Sequence, residues 1–214
     1  MNPAQPHPSS TFIWLASQSP RRQDLLTQIG VRFELLLADA HEDAEALEAL
    51  RPGESPTQYV TRVVQDKARA ALQRHARRGL HAAPILVADT TVALGGSILG
   101  KPANADDASR MLSQLSGRTH RVLTSIALCH PSKDRIDQRT QVSRVAFARL
   151  RPDWIRRYIA GGEPFGKAGS YAIQGAAASM IRRIEGSHSG IMGLPLYETA
   201  LLLRRAGILT GPCA

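Results

Sequence analysis

The chain has 214 residues, of which 43% are hydrophobic, and its 27 Lys and Arg against 18 Asp and Glu give a net charge of +9. This composition is typical of a globular protein with one sizeable core. No apolar run approaches the roughly 18 residues that cross a bilayer, which excludes an integral membrane protein, and two cysteines, Cys129 and Cys213, exclude a disulfide scaffold and a four-cysteine zinc site.

The positive charge permits three classes of partner: nucleic acid, an anionic membrane and a phosphate-bearing small molecule. Residues 34–54 hold seven acids and one base, Arg51, so the rest of the chain is more basic than the average. The arginines are nevertheless scattered and form no Lys/Arg-rich tract. This distribution weighs against nucleic-acid binding.

The ends of the chain are expected to be tails. Residues 1–10 show no basic segment followed by an apolar one, so they do not resemble a signal peptide and are expected to form a disordered tail. We expect a single domain over 11–207, a C-terminal tail over 208–214, and a cytoplasmic protein.

The first third of the chain predicts a strand, a helix and a second strand. Residues 11–16 are a short apolar run typical of a buried strand. Ser19 is a good N-cap and Pro20 suits the first helical position, and Gly30 is the expected stop of that helix. Residues 31–37 then indicate a second strand.

The middle of the chain contains clear helix boundaries. The acidic stretch 39–54 is expected to be loop or a short exposed helix, and Ser55 and Gln58 have capping-box spacing for a helix that ends at Gly79. Residues 84–94 predict a strand with an aspartate inside it.

A further helix and a pair of strands follow. Asn104 caps the predicted helix, which Gly117 ends. Strands are expected at 119–129 and 140–149, joined by a polar loop over 130–138.

The last third predicts a helix after Pro152, irregular structure over 161–175, a strand over 181–184 and a final helix from Pro195. Strands and helices alternate, so the fold class is α/β. The hairpin-like pair argues for a mixed sheet with flanking helices.

The segment Ser17-Gln18-Ser19-Pro20-Arg21-Arg22 joins a buried strand to a helix N-terminus, where free N–H groups and the helix dipole favour an anion. Two arginines in the first turn are unfavourable against that dipole, which a bound polyanion would explain. The alternative is an ordinary turn with solvated arginines.

Asp89 follows three apolar residues, and a buried carboxylate is costly unless it is paired, bound to metal or catalytic. The alternative is a structural aspartate satisfied by backbone N–H groups. Lys101 lies between Gly100 and Pro102 and could reach a phosphate, or it could simply be exposed.

The glycine-rich segment 166–175 allows a ligand to approach the backbone closely, and Gln174 can both donate to and accept from a base edge. The segment lacks the spacing of a Walker A loop, and a flexible loop is the alternative.

Seven histidines show no metal-ligand spacing. We expect His75, His81, His120 and His130 at the surface, whereas His188 is a candidate for lining a site. No Gly-x-Ser-x-Gly occurs, so a serine-hydrolase triad is not supported.

Seven segments, in this order, resemble the Maf family of nucleoside triphosphate pyrophosphatases over about residues 12–206. They are LASQSPRRQDLL (15–26), QDKA (65–68), VADTTV (87–92), LGKP (99–102), LSGRTH (115–120), GKAGSYAIQG (166–175) and GLPLYET (193–199).

The resemblance implies hydrolysis of a nucleoside triphosphate between the α and β phosphates, giving the monophosphate and pyrophosphate. It implies two lobes around a central cleft, a fold related to that of inosine triphosphatases. It also implies a divalent cation, Mg²⁺ or Mn²⁺, and a homodimer.

By resemblance, the base is selected by Arg21, Thr90 and Gln174. This combination is similar to the branch of the family that acts on dTTP and UTP. The branch that prefers 7-methyl-GTP carries a bulkier aromatic after Ser-Pro and departs from the AIQG pattern.

The resemblance also assigns the reaction chemistry. Asp89 is the implied proton acceptor, Lys67 and Lys101 are implied catalytic residues, and Ser17 and Arg22 are implied to bind phosphate. Positively charged groups around the phosphates would neutralise the charge that develops during attack by water.

The implied metal ligands are Glu42 and Asp89, since Mg²⁺ and Mn²⁺ prefer oxygen ligands. The family shows a closely spaced acidic pair where this chain has ADAHED, so Asp39 or Asp43 are alternatives to Glu42. His188 stands where many members have an aromatic.

Two other functions remain open at this point. One is a house-cleaning pyrophosphatase for modified purine nucleotides such as 7-methyl-GTP or ITP. The other is a nucleic-acid-binding division regulator, which the absence of aromatic platforms disfavours. Motifs do not distinguish canonical from modified pyrimidine nucleotides.

Overall fold

A mixed sheet forms the centre of the molecule. The computed structural model describes residues 12–39, 42–43, 46–133 and 135–211, and seven strands within those ranges form one sheet. The strands are β1 Phe12–Leu15, β2 Arg32–Leu35, β3 Ile85–Leu94, β4 Ser97–Leu99, β5 Thr119–His130, β6 Arg135–Phe147 and β7 Ile181–Glu185.

Helices flank this sheet. They are α1 Pro20–Gln28, α2 Pro56–Arg77, α3 Ala105–Leu115, α4 Pro152–Ala160, α5 His188–Met192 and α6 Leu196–Arg205. Short 3₁₀ turns cover Ala46–Glu48, Ala168–Ser170 and Ala176–Met180. None of the helices in the described ranges is long and apolar enough to span a membrane.

The strand order is β2-β1-β3-β5-β6-β7, with β4 paired to β3. Strand β1 is parallel to β2 and β3. The remaining pairs, from β3 through β5 and β6 to β7, are antiparallel. The predicted α/β class and the mixed sheet are therefore confirmed.

Local sequence signals place several helix ends where they were expected. The Gln58 amide donates to Ser55 Oγ at 3.3 Å and the Ser55 amide donates to Gln58 Oε1 at 2.9 Å, which completes the capping box of α2. Asn104 Oδ1 accepts from the Asp107 amide at 2.9 Å at the start of α3. Gly30, with φ of 69°, follows α1 in the left-handed conformation that glycine tolerates best.

The predicted polar loop over 130–138 is wrong. Strand β5 continues to His130 and β6 begins at Arg135, so most of the polar segment is paired strand. Its polar side chains find partners across the hairpin: Asp137 Oδ2 lies 3.1 Å from His130 Nε2, and Gln138 Nε2 donates to Ser125 Oγ at 2.9 Å. Cross-strand pairing of this kind stabilises a strand that its polarity alone does not predict.

Two of the histidines also differ from expectation. His75 is 5% exposed and His120 is 1% exposed, so both are buried rather than on the surface. Each imidazole has a partner inside the fold, the His81 carbonyl for His75 and the Tyr171 hydroxyl for His120. Burial of these rings depends on tertiary contacts that histidine spacing does not encode.

The chain remains packed beyond the boundary predicted at residue 207. Ile208 is buried in a hydrophobic cluster, and the Gly211 amide donates to the Ile29 carbonyl at 2.9 Å. The tail predicted over residues 1–10 and Cys213 lie outside the described residues. Cys129 is buried, and burial raises the pKa of its thiol to about 12, which fits an inert cysteine.

Strand β3 contributes to four hydrophobic clusters. Val92 packs with α3, α4 and the glycine-rich segment. Ala88 packs with α1 and α6, whereas Val87 faces α2. Ala93 belongs to a smaller cluster beneath the start of α2. Asp89, in the middle of β3, therefore lies on the strand that these clusters share.

Candidate active site

A cleft of about 990 Å³ opens over the middle of β3. Its lining includes all the site residues selected from the sequence, which are Ser17, Arg21, Arg22, Glu42, Lys67, Asp89, Thr90, Lys101 and Gln174. Segments far apart in the chain therefore meet in one place. Their individual roles stay predictions.

Asp89 and Lys67 form an ion pair at the floor of the cleft. Asp89 is 6% exposed on β3, and Lys67 reaches it from α2 with Nζ 2.7 Å from Oδ1. The carboxylate thus has a charged partner, as a buried ion requires. This excludes the alternative in which Asp89 is satisfied by backbone N–H groups alone.

Glu48 is a cleft residue that the sequence analysis did not select. Its Oε1 accepts from Lys67 Nζ at 2.7 Å and its Oε2 accepts from Lys101 Nζ at 2.9 Å. Burial opposes its ionisation, but the two ammonium groups lower the pKa of Glu48 overall. One carboxylate therefore joins the two lysines that the resemblance implies to be catalytic.

The backbone around Glu48 is fixed to α2 by side chains. The Tyr59 hydroxyl donates to the Glu48 carbonyl at 2.9 Å, and Arg62 donates to the carbonyls of Leu47 at 3.3 Å and Ala49 at 2.9 Å. Glu48 is one of seven acids between residues 34 and 54. Nothing in its spacing distinguishes it from the others, so sequence reasoning had no signal for it.

The two arginines of the first turn of α1 are bound to the protein rather than solvated. Arg22 donates from Nε to the Gly193 carbonyl at 2.8 Å and from Nη1 to Ser17 Oγ at 3.0 Å. Arg21 donates to the Met192 carbonyl at 3.3 Å. These carbonyls end α5, where cations are favourable, which offsets the unfavourable dipole of α1. Burial lowers the pKa of Arg22, although the charge of Asp89 opposes this.

Thr90 is directed toward the same region. Its Oγ1 lies 3.0 Å from Thr124 Oγ1, and the Thr124 hydroxyl donates to the Gly190 carbonyl at 2.7 Å. A Cβ placed on Gly193 would lie 3.6 Å from Thr90 Oγ1 and 3.5 Å from Arg22 Nε. Thr90 and Arg22 therefore both lie next to Gly193 in the cleft lining.

The glycine-rich segment forms the opposite wall. Gln174 is exposed to the cleft, whereas Tyr171 is buried beneath it with its hydroxyl 2.8 Å from His120 Nε2. Lys167 also lines the cleft and was not selected from the sequence. Burial, followed by the nearby charge of Arg21, lowers the pKa of Lys167.

Glu42 lines the cleft, but its carboxylate is bound to α2. Arg74 donates to Glu42 Oε1 at 3.0 Å and to Oε2 at 2.6 Å, and Arg77 donates to Oε1 at 2.7 Å. The hydrogen bonds from Arg74 lower the pKa of Glu42 to about 2. Its assignment as a metal ligand stays a prediction.

The two alternatives to Glu42 are also engaged. Asp39 pairs with Arg77 and Arg78, whose hydrogen bonds lower the pKa of Asp39 to about 2. Asp43 Oδ1 accepts from the Ala46 amide at 2.9 Å. His188 is exposed at the start of α5 and is not among the residues that line the cleft.

The cleft has the charge distribution of a polyanion site, with a buried carboxylate among its basic groups. Among the described residues, six basic side chains line the cleft together with Asp89 and Glu48, namely Arg21, Arg22, Lys67, Arg74, Lys101 and Lys167. Within the described residues, no group of three or more His, Cys, Asp or Glu side chains is arranged to hold a metal ion. A cation here would need ligands from a bound anion as well.

Comparison with known proteins agrees with this geometry. A model of the family described as Maf-like protein matches residues 12–206. A protein of Cupriavidus metallidurans is 61% identical over 93% of this chain and 98% of its own length, and one of Burkholderia pseudomallei is 57% identical over 96% and 99%. Both are named dTTP/UTP pyrophosphatase. The chain belongs to the Maf family.

Proposed function

We propose that this protein is a nucleoside triphosphate pyrophosphatase that hydrolyses dTTP and UTP to the monophosphate and pyrophosphate. The observation that carries the proposal is the contact of 2.7 Å between Lys67 Nζ and the buried Asp89 carboxylate, inside a cleft rich in basic side chains. The names of relatives at 57–61% identity support the choice of substrate.

The triphosphate would bind along the basic groups of the cleft. Arg22 lies beside Ser17 at the N-terminus of α1, where the helix dipole also favours an anion. Lys67 and Lys101 already hold an anion, the Glu48 carboxylate. Phosphate oxygens would replace Glu48 as the partners of these lysines, because they carry more charge than one carboxylate.

Asp89 is suited to accept the proton of the attacking water. The water oxygen forms a bond to the α-phosphorus, the bond from that phosphorus to the α–β bridging oxygen breaks, and pyrophosphate leaves. The water proton passes to Asp89, and Lys67 stabilises the negative charge that develops on the phosphoryl oxygens.

A divalent cation fits this arrangement as a partner of the substrate. Asp89 and Glu48 each place a carboxylate oxygen 2.7 Å from Lys67 Nζ, so two oxygen donors lie within reach of one cationic position. Mg²⁺ is usually bound by one or two carboxylates together with substrate phosphates. Asp89 would hold the cation, Mg²⁺ or Mn²⁺, and the bound cation would neutralise phosphate charge. Glu42 could join it only by leaving Arg74.

The base would lie between the two walls of the cleft that carry Arg21, Thr90 and Gln174. Uracil and thymine present the same donor and acceptor groups, so one site can accept both. We further propose that the protein acts in the cytoplasm, on the nucleotide pool there, and that it forms the homodimer implied by the resemblance, which sedimentation would test.

The first experiment measures pyrophosphate release from dTTP, UTP, CTP, GTP, 7-methyl-GTP and ITP with Mg²⁺ or Mn²⁺. We expect turnover of dTTP and UTP that falls by roughly 10²–10⁴-fold in Asp89→Asn, because a positioned general base contributes about that much. Preference for 7-methyl-GTP or ITP would reject the pyrimidine assignment. No turnover of any triphosphate would reject the enzyme and favour a nucleic-acid-binding role.

A further inference from the structure

Gln174 lies on a tight turn whose backbone is held at both ends. The Gly175 amide donates to the Ala172 carbonyl at 3.2 Å, which closes the turn. At its start, the Ala172 amide donates to the Tyr158 hydroxyl at 3.3 Å. At its end, the Ala176 amide donates to Glu163 Oε2 at 3.0 Å.

The two side chains that hold the turn are bonded to each other. The Tyr158 hydroxyl donates to Glu163 Oε1 at 2.7 Å. Tyr158 uses its hydroxyl both as donor and as acceptor, and Glu163 uses both carboxylate oxygens. A continuous chain of three hydrogen bonds therefore runs from Ala172 through Tyr158 and Glu163 to Ala176. We call Tyr158 and Glu163 the brace.

The brace rests on rigid structure. Tyr158 is 6% exposed on α4, and its ring stacks on Trp154 with the centroids 4.8 Å apart. Glu163 lies in the turn after α4, and its carbonyl accepts from Lys167 Nζ. The position of the Gln174 turn is thus set by α4 rather than by the turn alone.

The turn and the brace are in close steric contact at Gly175. A Cβ on Gly175 would overlap the Glu163 carboxylate. Gly175 has φ of −100°, which other residues adopt freely. A side chain at this position would therefore conflict with the Glu163 carboxylate and not with the backbone conformation, so it would displace that carboxylate from the turn.

The position of Gln174 matters because its amide can present either a donor or an acceptor. Uracil offers an N–H donor at N3 and a carbonyl acceptor at position 4, whereas cytosine offers an acceptor and an amino donor at these positions. Rotation about its own side-chain torsions lets the Gln174 amide present either pattern, so a fixed backbone sets the position of the amide and not its pattern. Displacing the turn would move the amide away from the base and weaken the contact that distinguishes uracil from cytosine.

We propose that Tyr158 and Glu163 determine base selection indirectly, as positioning residues that hold the Gln174 turn at a fixed distance from the base. Neither residue lines the cleft, so they act through Gln174 and not by contact with the nucleotide. This inference rests on the proposed function, in which Gln174 reads the base.

The test compares Tyr158→Phe and Glu163→Gln with wild type by the ratio of kcat/KM for UTP to that for CTP. Phenylalanine removes both bonds of the hydroxyl, and glutamine can accept from only one of its two partners. We expect the ratio to fall roughly three- to tenfold in each, the size of one or two lost hydrogen bonds. Matched controls are Tyr197→Phe and Glu185→Gln, which change exposed residues.

A second pair of variants keeps the test valid if loss of the brace also lowers stability. Gly175→Ala changes neither brace residue, but its methyl group displaces the Glu163 carboxylate. It should therefore lower the ratio of kcat/KM for UTP to that for CTP. Because that clash needs Glu163, Gly175→Ala combined with Glu163→Ala should resemble Glu163→Ala alone. Equal losses of kcat/KM for UTP and CTP in all these variants would overturn the proposal, since that is the result of a purely structural role.

Gln174→Ala separates failure of this inference from failure of the proposed function. If Gln174→Ala lowers the UTP to CTP ratio and the brace variants do not, the brace is overturned and the role of Gln174 stands. If Gln174→Ala leaves the ratio unchanged while wild type hydrolyses UTP, the reading of Gln174 is wrong and the inference is overturned with it. If wild type hydrolyses no triphosphate, the proposed function itself is rejected.

Discussion

The two walls of the cleft are built from different interactions. On the phosphate side, which comprises Arg22, Glu48, Lys67, Asp89 and Lys101, the two carboxylates bond to the two lysines. On the base side, residues 163–176, glycines and backbone amides pack against buried side chains. Ion pairs between side chains can be exchanged for a charged substrate, whereas a backbone turn held by hydrogen bonds cannot move without losing them.

This difference suggests that each side is suited to its task. A triphosphate must replace existing partners of the lysines, so the phosphate side has to rearrange during each turnover. Base selection depends on fixed distances, so the base side has to remain still. Two changes to the protein test this contrast, the one with the larger expected effect first, and a third tests the ion pair of Glu42 at the edge of the cleft.

Gly169→Ala should be strongly destabilising if the base side is rigid. Gly169 has φ of +70°, and a Cβ there would lie 2.9 Å from both γ carbons of Val92, a core residue. Backbone strain of about 1 kcal/mol and overpacking of about 1–3 kcal/mol should both lower the free energy of unfolding, measured by urea denaturation.

Gly166→Ala is the matched control for that change. Gly166 has nearly the same φ, +71°, but a Cβ there meets nothing within 4 Å. Gly166→Ala should therefore lower the free energy of unfolding by the backbone strain alone, without the overpacking. Equal destabilisation of the two variants would mean that the packing against Val92 yields easily, and the base side would then be no more rigid than the phosphate side.

Glu48→Gln should strengthen binding of pyrophosphate if the phosphate side is exchangeable. The variant removes a carboxylate that competes for Lys67 and Lys101. We expect affinity measured by titration calorimetry to rise roughly three- to tenfold at low salt and less at high salt, as for other partly exposed ion pairs.

Glu34→Gln controls for the change in net charge, because Glu34 is exposed on β2 and lies away from the cleft lining. If Glu48→Gln bound pyrophosphate more weakly and required more Mg²⁺, Glu48 would not be competing with the phosphates for the two lysines. That result would instead indicate that Glu48 helps to hold the cation.

The loss of stability at acidic pH should depend in part on Glu42. Hydrogen bonds from Arg74 lower the pKa of Glu42 from 4.5 to about 2. A group whose pKa is lowered in the folded state contributes its full stability above its unfolded value and loses it as the pH falls. Wild type should therefore exceed Glu42→Gln in Tm at neutral pH, and the gap should close between about pH 5 and pH 2. A gap that stays constant over this range would show that the Arg74 pair contributes little through its charge.

Local signals in the sequence predicted much of the fold. The capping box at Ser55 and Gln58, the cap at Asn104 and the stop at Gly30 depend on residues a few positions apart, and each lies where it was expected. The hairpin between β5 and β6 was missed in part, since its polar residues are stabilised by cross-strand partners that periodicity does not show.

The candidate site was predictable where motifs mark it, and the residues around Asp89 do line one cleft. Glu48 and Glu163 could not be found in this way. Glu48 becomes significant only when the acidic segment folds over Lys67 and Lys101, and Glu163 only when the turn after α4 meets Ala176. Both contacts join parts of the chain that are separated in sequence.

The position of β3 has a consequence for how the molecule opens. Its residues belong to four hydrophobic clusters, so exchange of the amide protons of β3 with solvent requires most of the core to separate. The segment that carries Glu48 is attached to α2 by a few side-chain hydrogen bonds and can detach in a much smaller fluctuation. Local unfolding can therefore uncover the cleft while Asp89 keeps its place.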